Sequence, residues 1–144
     1  MSQSTSHIPP RPLPVATAET RPFWDGAAEG ALRLRRCTHC GRLAAPLAPR
    51  CAGCLGDRFT VDTLSGRATL KGRTVLHLNA LPGRDGPLVI VECAIEEDPR
   101  IVLIALDDSG VTNGALPGQP LQLGFGPDEG GTRFAVVLPA EGPR

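Results

Sequence analysis

The stretch Cys37–Cys54, CTHCGRLAAPLAPRCAGC, decides how the rest of the sequence is read. Two Cys-x-x-Cys pairs, Cys37/Cys40 and Cys51/Cys54, flank ten intervening residues, with Gly41 and Gly56 close behind the second sulfur of each pair. Such a turn aims both sulfurs at one point, and its own backbone amides face them. Two such turns brought together give a closed tetrahedral S4 site of the kind zinc accepts without redox chemistry. Glycine after the second cysteine suits the left-handed backbone of the turn. One pair alone is a weak signal; two at this spacing in a short chain are a strong one.

Other uses of four cysteines fit less well. Two disulfides would suit a secreted scaffold, but the N-terminus lacks an apolar secretory run, and Cys93 would be left over. Iron in a rubredoxin-like electron carrier uses similar knuckles, yet those sites are wrapped in aromatic rings and this segment has none. His39, inside the first pair, reads as an exposed knuckle residue because four thiolates already complete the site. Cys93 lies in an apolar strand and reads as a small buried hydrophobe.

At 144 residues and 41% hydrophobic content, the chain can build one ordinary domain or a small module beside a compact one. Net charge is zero, from 15 basic and 15 acidic residues. The sequence has no apolar run of the roughly 18–20 residues needed to cross a bilayer, so no membrane association is expected. Metal-type cysteine spacing without a secretory segment points to the cytoplasm.

Residues 1–18 are rich in Ser and Pro and lack periodicity, which predicts a disordered tail. A short helix is expected over 19–31: Thr20 offers a cap, Pro22 suits the first turn, Asp25 and Glu29 lie early, and Gly30 is a natural stop. Two to three turns are marginal alone, so Phe23 and Trp24 must dock, either on the chain's own domain or in a partner's groove. A zinc ribbon follows over 32–58. Six arginines (33, 35, 36, 42, 50 and 58) face one acid, Asp57, in that stretch, which leaves the rest of the chain acidic. Such a local positive field suits an anion: nucleic acid, nucleotide phosphate or an acidic protein face. The bland alternative is that these arginines only solubilise the knuckles and offset thiolate charge.

Beyond Cys54 the pattern is all-β. Strands are predicted at Phe59–Leu64, Ala68–Leu78, Leu88–Glu96, Arg100–Leu106, Pro120–Phe125 and Thr132–Leu138, separated by Gly-, Pro- and Asp-rich turns. Glu97-Asp98-Pro99 should close a hairpin, and Gly72 should let a long strand bend round a barrel corner. The fold class is therefore mostly β: an N-terminal helix, a rubredoxin-like zinc ribbon, and a C-terminal barrel over 59–140. The five-stranded OB barrel is the preferred form and a small sandwich the alternative.

Phe23-Trp24, Gly26, Gly30, Leu32, the two knuckles, Gly66, Thr69, Thr74, Val91-Glu92, Arg100 and Gly118 together resemble one known arrangement. It is that of the zinc-ribbon/OB-fold proteins catalogued as domain of unknown function thirty-five, and the likeness spans residues 19 to about 138. This sequence differs from them at Ala45, Ala52 and Lys71-Gly72. The resemblance implies a ribbon packed on an OB barrel, in an accessory protein of thiolase-like and related acyl-CoA enzymes. It implies no catalytic residue of its own, with coenzyme A or acyl-CoA as a candidate ligand. Phe23, Trp24, Arg36, Arg42 and Arg50 are the candidate contacts to a partner or to CoA phosphates.

The residues themselves offer little catalytic chemistry. Ser65 has no Gly-x-Ser-x-Gly frame, no phosphate-binding loop exists, and His77 and Glu92 sit singly in strands. A four-thiolate metal site has no open position for water. The expectation is a non-catalytic subunit that completes a partner's active site. The alternative is a single-stranded nucleic-acid binder, which an aromatic-poor, acidic β half disfavours.

Overall fold

A computed structural model describes residues 11–77 and 86–139. Helix α1 (Arg21–Ala28) is followed by β1 (Arg33–Cys37), β2 (Leu43–Ala44) and β3 (Phe59–Thr63). The barrel strands are β4 (Arg67–Leu76), β5 (Leu88–Ile95), β6 (Val102–Leu106), β7 (Pro120–Phe125) and β8 (Ala135–Val137).

The helix is shorter than the predicted 19–31 and differs in its capping. Thr20 occupies the N-cap position, but its hydroxyl accepts from the Thr17 amide at 2.9 Å instead of capping the helix. Glu29 falls at the C-cap, where it pairs with Arg33, so no acid serves the first turn. Gly30 ends the helix in the left-handed region, φ 77°, as expected. Gly26 is fixed by packing: a Cβ there would lie 2.6 Å from the Ala31 carbonyl and 2.9 Å from Arg33 Cγ. A side chain would push the helix off β1.

Three strands in the order β2-β1-β3 form the ribbon sheet. β1 pairs antiparallel with β3 from Arg33↔Thr63 to Cys37↔Phe59. This corrects the expected boundary, since the strand starting at Phe59 belongs to the ribbon and the barrel begins at Arg67. The ribbon's root is also not coreless. Leu32, Leu34 and Leu43 join one apolar cluster with Ala27 and the barrel interior.

The barrel closes in the order β4-β5-β6-β8-β7, the five-stranded OB arrangement. Alternation supplies the core. Ala68 and Leu70, Leu103 and Ala105, Leu121 and Leu123 point inward while their neighbours face out. The register of β4 against β5 shifts between Leu70 and Gly72, where the long strand bends as predicted. Gly66, φ 79°, turns the chain from ribbon to barrel, and a Cβ there would meet the Leu123 carbonyl at 2.8 Å. The predicted hairpin is β5–β6, and its tip is tied down: Arg100 makes bonds of 2.8 and 2.9 Å to Asp98, and Glu97 accepts the Ser65 amide at 2.8 Å.

Residues 1–10 of the expected disordered tail lie outside the described residues; within 11–18, Arg11 is tied to the barrel while Val15 is 88% exposed. Arg11 stacks over Phe134 at 3.4 Å from the ring centroid and pairs with Glu129 at 2.7 Å. Cation–π attraction and an ion pair thus order chain that lacks apolar periodicity. Of the predicted Ala68–Leu78 strand, β4 ends at Leu76, and Leu78 lies outside the described residues.

Candidate metal centre and an apolar cleft

Cys37 is the last residue of β1, so pairing with β2 and β3 sets where the first knuckle begins. Within that knuckle Gly41 donates to the Cys37 carbonyl at 3.0 Å, and Cys37 donates to Arg42 at 2.9 Å. The second knuckle repeats the pattern, Leu55 donating to Cys51 at 2.9 Å and Cys51 to Gly56 at 2.8 Å. Gly41 takes the left-handed conformation, φ 79°, as its position predicts. In the second knuckle that conformation falls on Leu55, φ 65°, and not on Gly56. Gly56 serves a different need. A Cβ there would lie 3.2 Å from Cys54 Sγ, and its amide donates to that sulfur at 3.4 Å.

The four sulfurs lie within 4.8 Å of one another. Cys37 and Cys54 are 3.5 Å apart and Cys40 and Cys51 are 3.4 Å apart, far beyond a disulfide bond of about 2.05 Å. Sulfurs around a tetrahedral ion bound at about 2.3 Å stand roughly 3.8 Å apart, so the cluster fits that size. Amides prepare it for a cation. The Cys54 and Gly53 N–H groups bring Cys51 down to about 6, and the Cys40 N–H lowers Cys37. At Cys54 the Gly56 amide acts in the same direction, but burial and the three neighbouring sulfurs outweigh it and push the thiol up to about 12. A divalent ion removes that mutual repulsion, and all four sulfurs then act as thiolates. The four cysteines thus form a closed structural metal site with no position left for substrate. Cys93 is fully buried in the barrel and its thiol is pushed up to about 11 by burial and the Asp107 charge, as an inert core residue should be.

The remaining candidates are dispersed. Arg36 is committed to Asp62 at 2.6 Å and to the Gly41 carbonyl at 2.7 Å. Arg50 donates to the Leu55 carbonyl at 3.1 Å, and Arg42 lies across Gly53. Arg35 lies over the Phe59 ring at 4.3 Å and donates to the Ala48 carbonyl. These contacts brace the knuckles, the bland role of the arginine cluster. Leu47 and Leu55 project from the knuckles at 78% and 68% exposure. His77 and Glu92 are both exposed.

Phe23 and Trp24 dock on the chain's own barrel, the first of the two expected alternatives. Their rings meet Phe125 and Trp24's neighbour Phe134 edge-on, with centroids 5.9 and 5.8 Å apart. Both also line a cleft of about 210 Å³ with Arg11, Ile104, Leu106, Phe134 and Ala135. Arg11 has no sequence signal, being one arginine in a Pro-rich run. Ile104 did have one: Val102–Leu106 is apolar at every position, which a strand with one wet face does not need. A second unforeseen feature is Asp107, expected in a solvated turn. It is 2% exposed and accepts from the Thr112 hydroxyl at 2.5 Å and amide at 2.8 Å. Arg73 joins that network through Thr112 at 3.0 Å.

Residues 24–60 match the family model described as ChsH2, rubredoxin-like zinc ribbon domain. Among solved structures, the fold is similar to one named Ltp2-ChsH2(DUF35) aldolase, with 18% identity and a TM-score of 0.76, covering 87% of this chain and 97% of that one. No curated protein matches. Both likenesses agree with the zinc-ribbon and barrel arrangement that the motifs resemble, the first at the knuckles and the second over the whole fold.

Proposed function

We propose that this chain is an accessory subunit, without catalytic residues of its own, of a thiolase-like or other acyl-CoA enzyme. Its metal is a zinc ion held purely as scaffolding. The observation that carries this reading is a closed S4 site together with an apolar surface cleft elsewhere on the chain, in a fold like that of a protein named Ltp2-ChsH2(DUF35) aldolase. Four protein sulfurs leave no open position for a Lewis acid to act on substrate. His77 and Glu92 are both exposed. What remains is surface, and surface suits assembly.

In that assembly the chain would wall the partner's site and exclude water from a reactive thioester. Phe23 and Trp24 would act from the cleft. Arg42 and Arg50 would meet CoA phosphates or an acidic partner face, and Arg36, already paired, would contribute less. The nucleic-acid alternative is disfavoured by where the aromatic rings lie. Phe125 is buried, Phe23, Trp24 and Phe134 pack on one another, and Phe59 is covered by Arg35, which leaves no row of free rings for base stacking.

The test is co-expression with a thiolase-fold enzyme encoded beside this chain. The two should co-purify, and the enzyme should lose activity or solubility when this chain is deleted. Full partner activity after a clean deletion would defeat the reading, as would thioester turnover by the isolated chain.

A further inference from the structure

Strand β6 pairs with β5 along its whole length. The bonds Ile95 N–H to Ile101 at 3.1 Å and Asp107 N–H to Val89 at 3.0 Å show which residues of β6 face β5: the odd-numbered ones. Val102 and Ile104 therefore turn their N–H and C=O groups the other way, toward β8. β8 meets β6 at one register position only, Leu106↔Val136. Among the described residues, β8 has no position in register with Val102 or Ile104, and no backbone group outside the strands bonds to either. The β6–β8 seam is thus paired at its Leu106 end only, and the cleft lined by Trp24, Ile104, Leu106, Phe134 and Ala135 lies along the remainder.

We propose that this open edge and its cleft are a strand-addition site for an extended, uncharged segment of the partner enzyme, an inference that rests on the accessory reading above. Alternating donors and acceptors match a peptide backbone, whereas an acyl chain offers neither. The edge carries none of the usual protection, since Val-Leu-Ile-Ala-Leu contains no charge and no proline. Ile104 faces outward at 58% exposure, where the side chains of an added strand would cover it. Charge matching favours a neutral segment, because Arg11, the only ionised lining residue, is already paired with Glu129. The chain's own N-terminus is a poor occupant: Pro9 and Pro10, next to Arg11, have no N–H to donate.

Ile104→Lys places a charge on the free edge without touching the core, since the side chain already faces solvent. The full chain and this variant are titrated against the thiolase-fold enzyme encoded beside them, and amide exchange is followed in the free and bound chain. The variant should melt like the parent and bind about tenfold more weakly or worse. In the free chain, the Val102 and Ile104 amides should exchange faster than those of Leu103 and Ala105; binding should protect them. Slow exchange in the free chain, no added protection in the complex, or unchanged affinity of Ile104→Lys would each overturn the proposal. So would deletion of residues 1–10 if it alone exposes these amides, because the occupant is then this chain's own terminus. Self-association abolished by Ile104→Lys would overturn it in favour of a second copy. If the parent chain binds no such enzyme, the accessory reading fails and takes this partner with it, while exchange in the free chain still reports whether the edge is open.

Discussion

Between Cys37 and Arg58 the chain buries only Cys37, Leu43, Ala44 and Cys51, whereas strand β5 alone buries Leu88, Val91, Cys93, Ala94 and Ile95. The two regions are held by different physics. In the barrel, apolar area removed from water stabilises the fold, at about 25 cal/mol per Å². At the knuckles there is almost no such area, and two turns carrying four sulfurs must be drawn together by an ion. Between them lies the ribbon's root, where Leu32 and Leu34 share the barrel's core. The ribbon is thus apolar at its base and metal-dependent at its tip.

Metal removal is the strongest way to break this comparison. Apparent zinc binding of about 10–16 kcal/mol exceeds anything else holding the knuckles. Chelation, or Cys51→Ser, should melt residues 37–58 while β4–β8 stay folded, seen as exchange loss confined to the knuckles and retained β-sheet dichroism. One cooperative unfolding step of the whole chain would show instead that tip and barrel are a single unit.

The converse perturbation is Ile95→Val or Ile95→Ala in the barrel. Ile95 is fully buried, and the alanine variant should lose about 3 kcal/mol and the valine variant about 1 kcal/mol in denaturant melts, at unchanged metal stoichiometry. A fall in bound metal that matches the fall in stability would mean the tip depends on the barrel more than its burial implies.

Asp107 gives a smaller, pH-dependent effect on the barrel alone. Burial by itself would raise its carboxyl, but the Thr112 hydroxyl and the amides of Thr112, Val111 and Gly110 overcome that and hold it below the usual carboxylate range. The unfolded chain therefore takes up this proton first as pH falls. The stabilisation is full above an unfolded-state value near 3.9, and is lost as pH drops through the folded value. Asp107→Asn should cost about 2 kcal/mol at neutral pH and flatten the acid limb of the stability curve, with knuckle exchange unaffected. An unchanged acid limb would remove Asp107 from this role.

The smallest expected effect returns to the tip. Leu55 sits at φ 65°, a conformation that costs an L-residue roughly 1–2 kcal/mol. Leu55→Gly relieves that strain against a glycine entropy cost of about 0.5–1 kcal/mol, so metal retention under chelator should improve slightly. A clear loss of metal would show that the Leu55 side chain stabilises the knuckle.

Much of this architecture was legible in the residues. Cysteine spacing located the knuckles because sulfur–metal geometry is short-ranged and closes within a few residues. Period-2 alternation located β4 to β7 for a similar reason: side-chain direction is set by the pleat, residue by residue. Reading failed where a contact joins distant segments. The strand at Phe59 has the pattern of a barrel strand, and only its pairing with β1 assigns it to the ribbon. Asp107 lies in a sequence that reads as a turn; it is buried because the following loop folds back so that Thr112 bonds its carboxylate, and Arg73 of β4 in turn holds Thr112.

The sequence by itself determined the four-cysteine cluster and the order of the modules, since each follows from spacing along a few residues. Only the tertiary structure decided that Phe23 and Trp24 pack on their own barrel, that Arg11 lines the cleft, and that β6 pairs with β8 at one end only. Those outcomes depend on which surfaces meet in space. Local propensity carries no record of that, because burial and hydrogen-bond pairing are settled between segments and not within them.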